Sequence, residues 1–243
     1  MKRLLFIYAC FMCCIAACDA QTPKEKINTS NDSNYVNKKA SSGGTGKFYL
    51  GREIAQVMGA AGSSWLDRQS RPDEENTKLA LDKIDVGDSG VIADLGAGTG
   101  YYTFQLTPKV PHGKVYAIDI QDEMIDELNK RKAAKNITNV EVIKGTTLSP
   151  NLPDNSTDLV IMVDVYHELE YPKEMLQAIK KALRKNGKLL LIEYRGEDDS
   201  VPIRPLHKTT VKQLNRELSA NGFKLNYQGE FLKIQHFLLY EPV

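Results

Sequence analysis

Val91-Ile92-Ala93-Asp94-Leu95-Gly96-Ala97-Gly98-Thr99-Gly100 sets the reading of the whole chain. A short apolar run carries one acid near its end, and glycines follow at three alternate positions. The run reads as a strand buried in a parallel sheet. The glycines remove Cβ atoms where the backbone must turn and where a ligand must come close. A helical pattern starts at Tyr101, so its free N–H groups would face whatever docks there. Together these features predict a ligand cradle at the first strand-to-helix crossover.

Outward from this stretch, β-type runs recur at residues 114–119, 140–143, 158–163 and 188–193. Helix patterns lie between them. Met124, Ile125 and Leu128 mark one. Met175, Leu176, Ile179, Ala182 and Leu183 mark another, opened by Pro172 and closed by Gly187. Strands alternating with helices predict a parallel sheet with right-handed crossovers. A last helix begins at Thr210, with Gln213 at capping-box spacing, and ends at Gly222. Residues 223–228 and 234–240 then read as two strands joined by so few residues that they must be antiparallel. The expected fold class is α/β: a Rossmann-like, doubly wound, mainly parallel sheet of seven strands with a C-terminal antiparallel pair.

Upstream, Arg71-Pro72-Asp73-Glu74-Glu75 has the proline and acids of a helix start, with Leu79, Ala80 and Ile84 as its buried stripe and Gly87 as its end. Residues 48–71 hold Ile54, Val57, Met58, Trp65 and Leu66, broken by Gly59 and Gly62. They read either as a cap over the ligand mouth or as a cover for the sheet edge. Residues 18–47 are rich in Asn, Ser, Lys and Gly, the composition of a flexible tether. Gly43-Gly44-Thr45-Gly46-Lys47 is not a phosphate loop, because Phe48 and Ser41 stand where it needs a hydroxyl residue and a glycine. The domain of interest is expected over 72–243.

All four cysteines, Cys10, Cys13, Cys14 and Cys18, precede Asp19. The body of the chain therefore has no disulfide, thiolate metal ligand or cysteine nucleophile. Lys2-Arg3 followed by an uncharged apolar run to Ala17 reads as a signal peptide over 1–17. Ile15-Ala16-Ala17-Cys18 resembles a bacterial lipobox, which implies lipidation at Cys18 and anchoring in the cell envelope. An unprocessed N-terminus would leave the protein in the cytoplasm. The net charge is +1, and without Lys2 and Arg3 it is −1. So even a balance provides no footprint for nucleic acid.

A dinucleotide fingerprint would need glycine where Tyr101 stands, which disfavours an NAD-dependent oxidoreductase. Asp119 closes the next strand, where a carboxylate can accept two hydrogen bonds from a ribose diol. At these residues the chain resembles the class I S-adenosylmethionine-dependent methyltransferases. Asp94-Leu95-Gly96-Ala97-Gly98-Thr99-Gly100 is similar to their first motif and Val115-Tyr116-Ala117-Ile118-Asp119 to their second. Residues 158–167 are similar to their fourth-strand motif, and 183–190 to the approach to the fifth strand. Asp164-Val165-Tyr166-His167-Glu168 and Pro205-Leu206-His207-Lys208 resemble a little-characterised bacterial subgroup.

The resemblance implies S-adenosylmethionine as cofactor. It implies that Gly96, Gly98 and Gly100 lie against its methionine and ribose parts, with Asp119 on the ribose and Ile120 on adenine. Asp94 would orient the loop or the ammonium, and Asp164 would lie beside the methionine. Many members carry an acid after the third strand to accept from the adenine amino group. Here Gly145-Thr146-Thr147 follows, which leaves the Thr146 hydroxyl for that role.

Methyl transfer needs alignment, desolvation and, for some nucleophiles, proton removal. The expected catalytic residues are Tyr166, His167, Tyr194 and His207, with His207 as candidate base. Glu193 and Arg195 are the expected substrate contacts, Arg195 through its fork of donors. His167, His207 and Glu193 could together ligate a metal, but no helical ligand spacing supports one and none is expected. The acceptor is expected to be a small molecule. The alternative is a non-catalytic envelope protein that binds a nucleoside-like ligand on a methyltransferase fold, because the cofactor is made inside the cell while the signal directs the domain outside.

Overall fold

The computed structural model describes residues 34–243. The expected signal peptide and Cys18 lie outside the described residues. Three short antiparallel strands come first: β1 (Tyr35–Asn37), β2 (Gly44–Tyr49) and β3 (Arg52–Ala55). Leu50 and Gly51, both at positive φ, make the two-residue turn between β2 and β3.

The tether expected over 18–47 is thus corrected in its described part, and its end at residue 47 falls inside β2. Composition hid these strands because specific polar bonds hold them. The Glu53 carboxylate accepts from Ser41 and Gly46 N–H groups at 3.0 Å. Tyr35 donates to Glu174 at 2.7 Å. Arg52 forks onto Glu217 with two 2.8 Å bonds.

Next come α1 (Ser63–Leu66), α2 (Arg71–Glu75) and α3 (Thr77–Asp82). The single helix expected from Arg71 is broken at Asn76, whose φ of 51° is left-handed. The remaining elements are β4 (Val91–Leu95), α4 (Thr103–Leu106), β5 (Lys114–Asp119), α5 (Asp122–Ala134), β6 (Val140–Lys144), β7 (Thr157–Val163), α6 (Pro172–Ala182), β8 (Leu183–Tyr194), α7 (Val211–Ala220), β9 (Phe223–Gly229) and β10 (Gln235–Pro242).

The seven-stranded sheet runs β6-β5-β4-β7-β8-β10-β9. It is parallel from β6 to β8, and β10 is antiparallel to both its neighbours. This is the expected fold class. One detail differs. Helix α6 stops at Ala182, and Gly187 lies within β8, where a Cβ would come within 2.9 Å of the Thr157 carbonyl. That glycine serves strand contact and does not end a helix. At α7, Thr210 accepts from the Gln213 N–H at 3.1 Å as expected, but the Gln213 side chain reaches Leu50 and Glu217 and leaves the capping box half made.

Period-two alternation along the strands builds a core on each face. Ala93, Val160, Met162, Leu189 and Leu191 face α6 and α7. Ile92, Leu159, Ile161, Leu190 and Ile192 face α3, α4 and α5. Each fully buried Leu or Ile contributes roughly 1.5–3 kcal/mol, so the sheet and its long helices hold the fold and the four- to six-residue helices ride on it. The strand order reverses between β4 and β7, which leaves a crevice beyond their carboxyl ends.

Candidate active site

A cavity of about 830 Å³ opens at that crevice. Gly96 and Gly98 form part of its floor, with φ of +74° and +54°. A Cβ on Gly96 would lie 2.5 Å from a Val165 methyl, and one on Gly98 2.6 Å from Leu66. Bare backbone is therefore required there by conformation and by packing alike. Gly100 (φ +84°) is packed against Phe104 and Leu128 and does not line the cavity; its expected ligand contact is corrected to a turn-and-packing role.

Asp119 ends β5 at the cavity wall. Its carboxylate accepts from the Gly98 N–H at 2.9 Å and the Gln121 N–H at 3.0 Å, which aims it beside the glycine loop. Burial holds its pKa above the usual carboxylate range, although these N–H donors oppose the shift. Ile120 and Thr146 line the same end. The Thr146 hydroxyl already accepts from the Leu148 and Ser149 N–H groups, so its expected acceptor role toward adenine is spent on closing a turn.

Asp94 lies beneath the loop, 3% exposed, and accepts from the Thr103 hydroxyl at 2.6 Å. Burial pushes its pKa up to about 6. It orients the loop from below and is absent from the main lining. Asp164 follows β7 in a left-handed conformation (φ 55°), lines the cavity and accepts from Gln235. Burial, then the charges of Glu75 and Glu193, hold it well above its ordinary pKa.

Several candidates part company at the other end. His167 is 1% exposed and His207 partly exposed; both line the cavity, with His167 Nε2 3.0 Å from His207 Nδ1. Tyr194 lines it as well, donating to Glu75 at 2.8 Å. Burial, with Asp164 and Glu75 nearby, keeps this phenol protonated, which removes it as a base.

Tyr166 is fully buried away from the cavity, its hydroxyl donating to Glu217 at 2.8 Å. Its expected catalytic role is corrected to a structural one. Glu193, also fully buried, accepts from the Val165 and Tyr166 N–H groups and from His167 Nδ1. It supports His167 and is out of a substrate's reach. Arg195 pairs with Glu230 and the Leu232 carbonyl and does not line the cavity. Its expected substrate contact is likewise withdrawn.

Residues 87–237 match the family described as a methyltransferase domain. The chain belongs to this family. A methyltransferase-like protein of Schizosaccharomyces pombe is 32% identical over 126 residues, 52% of this chain and 46% of that one. A demethylmenaquinone methyltransferase of Chlamydia trachomatis is 26% identical over 152 residues, 61% of this chain and 65% of that one. The chain therefore matches about half to two thirds of the length of these curated relatives. A solved SAM-dependent methyltransferase from Aquifex aeolicus superposes with a TM-score of 0.72 at 26% identity, covering 77% of this chain and 100% of that one.

The methyltransferase domain gains several site residues that the sequence reading missed, all ahead of residue 87. Arg71 and Glu75, 5% and 1% exposed, pair at 2.9 Å on the cavity wall. Arg68 joins Glu75 at 2.6 Å and lies over the Trp65 ring. Arg71 and Glu75, an opposite-charge pair at i,i+4, were the available signal. Met58, Trp65 and Leu66, from the segment at 48–71, also line the cavity. Asp67 pins this segment, bonded to Arg131 at 2.7 Å and to Thr99 at 3.0 Å.

Proposed function

We propose that this chain transfers a methyl group from S-adenosylmethionine to a small acceptor with a largely apolar body. The observation that carries the reading is Asp119, aimed by two backbone N–H groups at the cavity wall beside Gly96 and Gly98, where its remaining lone pairs can accept from a ribose diol. The charge of the site agrees. Glu75, Asp119 and Asp164 line the cavity with Arg68 and Arg71, and Glu75 is already paired with both arginines; the two aspartates suit a ligand carrying a sulfonium and an ammonium.

When bound, S-adenosylmethionine supplies an electrophilic methyl on its sulfonium. Gly96 and Gly98 let it approach the backbone, Asp119 takes the ribose, and Asp164 lies toward the amino-acid end. Met58, Trp65, Leu66 and Ile203 offer an apolar wall to the acceptor and keep water from the reacting centre. His167 and His207 form the acceptor's polar end. The relatives' names point to varied acceptors, a demethylmenaquinone for one and a malonyl-acyl carrier protein for another, so the acceptor here is read from the cavity alone.

Calorimetry with S-adenosylmethionine and S-adenosylhomocysteine tests the proposal. Wild type should bind both with micromolar affinity, and Asp119→Asn should weaken both at least tenfold. No binding by wild type would end the reading. We also propose an envelope location through a lipid on Cys18, supported by the lipobox-like Ile15-Ala16-Ala17-Cys18. Cys18→Ser should move the protein out of the membrane fraction; an unchanged distribution would refute the anchor.

A further inference from the structure

Two short turns, residues 166–168 after β7 and 205–207 ahead of α7, bring His167, Glu168 and His207 together on the cavity wall. The separations are 3.0 Å between His167 Nε2 and His207 Nδ1, 3.4 Å between His207 Nδ1 and Glu168 Oε1, and 3.8 Å between His167 Nε2 and Glu168 Oε1. Three atoms so spaced lie on a circle of radius about 2.0 Å, the length of a zinc–nitrogen or zinc–oxygen bond. One point is therefore a bond length from all three donors. We propose that His167, Glu168 and His207 form a site for a first-row divalent transition ion, zinc fitting best, with an open position toward the cavity.

A second, independent feature points the same way. Glu193 is fully buried, and beyond capping the Val165 and Tyr166 N–H groups it accepts from His167 Nδ1 at 2.7 Å. That bond fixes the proton on Nδ1 and turns the Nε2 lone pair toward Glu168 and His207. A carboxylate behind a histidine that faces a metal is the usual outer support of such ligands. Two imidazoles and one carboxylate favour a transition ion over magnesium or calcium, which prefer oxygen donors throughout. The sequence conceals the cluster because its ligands come from two turns about 40 residues apart, with no shared helix to space them.

Ion binding stands on these side chains alone; the role of the ion rests on the methyl-transfer reading. The open position takes the acceptor's nucleophilic hydroxyl oxygen and draws charge from its O–H bond. The proton passes to the second carboxylate oxygen of Glu168 and the acceptor oxygen takes the methyl. The sulfur of the cofactor keeps the electron pair of the broken S–C bond.

The test uses the full chain, stripped with chelator and titrated with cobalt(II) chloride, followed by visible absorption and equilibrium dialysis. Wild type should take up one ion more per chain than Glu168→Gln or His207→Ala and show the intense absorption of a low-coordinate cobalt centre. The cysteines before Asp19 are the same in all three proteins, so the difference isolates this site. Glu168 is partly exposed, and S-adenosylmethionine titration of Glu168→Gln reports whether the cavity is intact. Glu193→Gln should weaken the ion about 10- to 100-fold. Equal uptake and equal spectra in wild type and both ligand variants would overturn the site. If the cobalt difference persists in a protein that does not bind S-adenosylmethionine, the site stands and the methyl-transfer reading falls.

Discussion

Replacing Asp94 with asparagine should remove part of the pH dependence of stability. The carboxyl is 3% exposed, and burial raises its pKa to about 6 against the opposing pull of Thr103 and Arg71. An unfolded aspartate titrates near 3.9, so the shift of about two units corresponds to about 3 kcal/mol. The folded state is the one that holds the proton more tightly. The stability this group contributes is therefore fully present below about pH 4 and is lost as pH rises through about 6. Asparagine keeps a neutral acceptor for the Thr103 hydroxyl, 2.6 Å away in wild type, and does not titrate. Urea unfolding followed by circular dichroism, stepped from pH 4 to pH 8 without cofactor, gives the curves to subtract. The variant should gain on wild type by up to about 3 kcal/mol between pH 4 and pH 7. Asp119 and Asp164 titrate in both proteins and largely cancel. Parallel curves would show that Asp94 ionises as a solvated carboxyl does, and the account of a buried acid under the loop would fail.

Gly98→Ala adds a Cβ 2.6 Å from Leu66 at a left-handed position. Unfolding free energy should drop by about 1–3 kcal/mol and S-adenosylmethionine affinity at least tenfold; unchanged affinity would mean the ligand does not meet this backbone. Arg52→Ala strands the fully buried Glu217 without its forked partner and should cost about 3–5 kcal/mol in urea unfolding, with Glu217→Gln restoring part of it in the double variant. Binding of S-adenosylmethionine near pH 7 should release protons, because a cation beside Asp164 favours the carboxylate that burial opposes. Calorimetric heats that do not vary with the ionisation enthalpy of the buffer would refute that release.

The sheet was legible because its signals are local and repeated: apolar alternation along each strand, Pro172 at the start of α6, Thr210 at the start of α7. The cradle was legible because glycine at positive φ leaves a mark in the sequence, as at Gly96 and Gly98. The acceptor side was not. Tyr166, Glu193 and Arg195 sit beside the strand ends in sequence, yet their orientation depends on partners far along the chain, Glu217 for Tyr166 and Glu230 for Arg195. Nothing in a strand's periodicity tells which way its last side chain leans. The β1–β3 sheet was missed for a related reason. Its stability lies in bonds such as Arg52 to Glu217 and Tyr35 to Glu174, spanning 165 and 139 residues, which no window of composition can hold.

The upstream cavity wall has a wider consequence. The stretch matched to the family begins at residue 87, yet Met58, Trp65, Leu66, Arg71 and Glu75 all stand upstream of it on the cavity wall. The glycine floor and the apolar wall of the cavity thus come from consecutive stretches of the chain. Trading the upstream block between sister proteins should exchange guest preference while the cofactor grip stays put. A trimmed version beginning at the family boundary would lose that wall together with Arg52 and the buried Ala80, Leu81 and Ile84, and should not hold the fold.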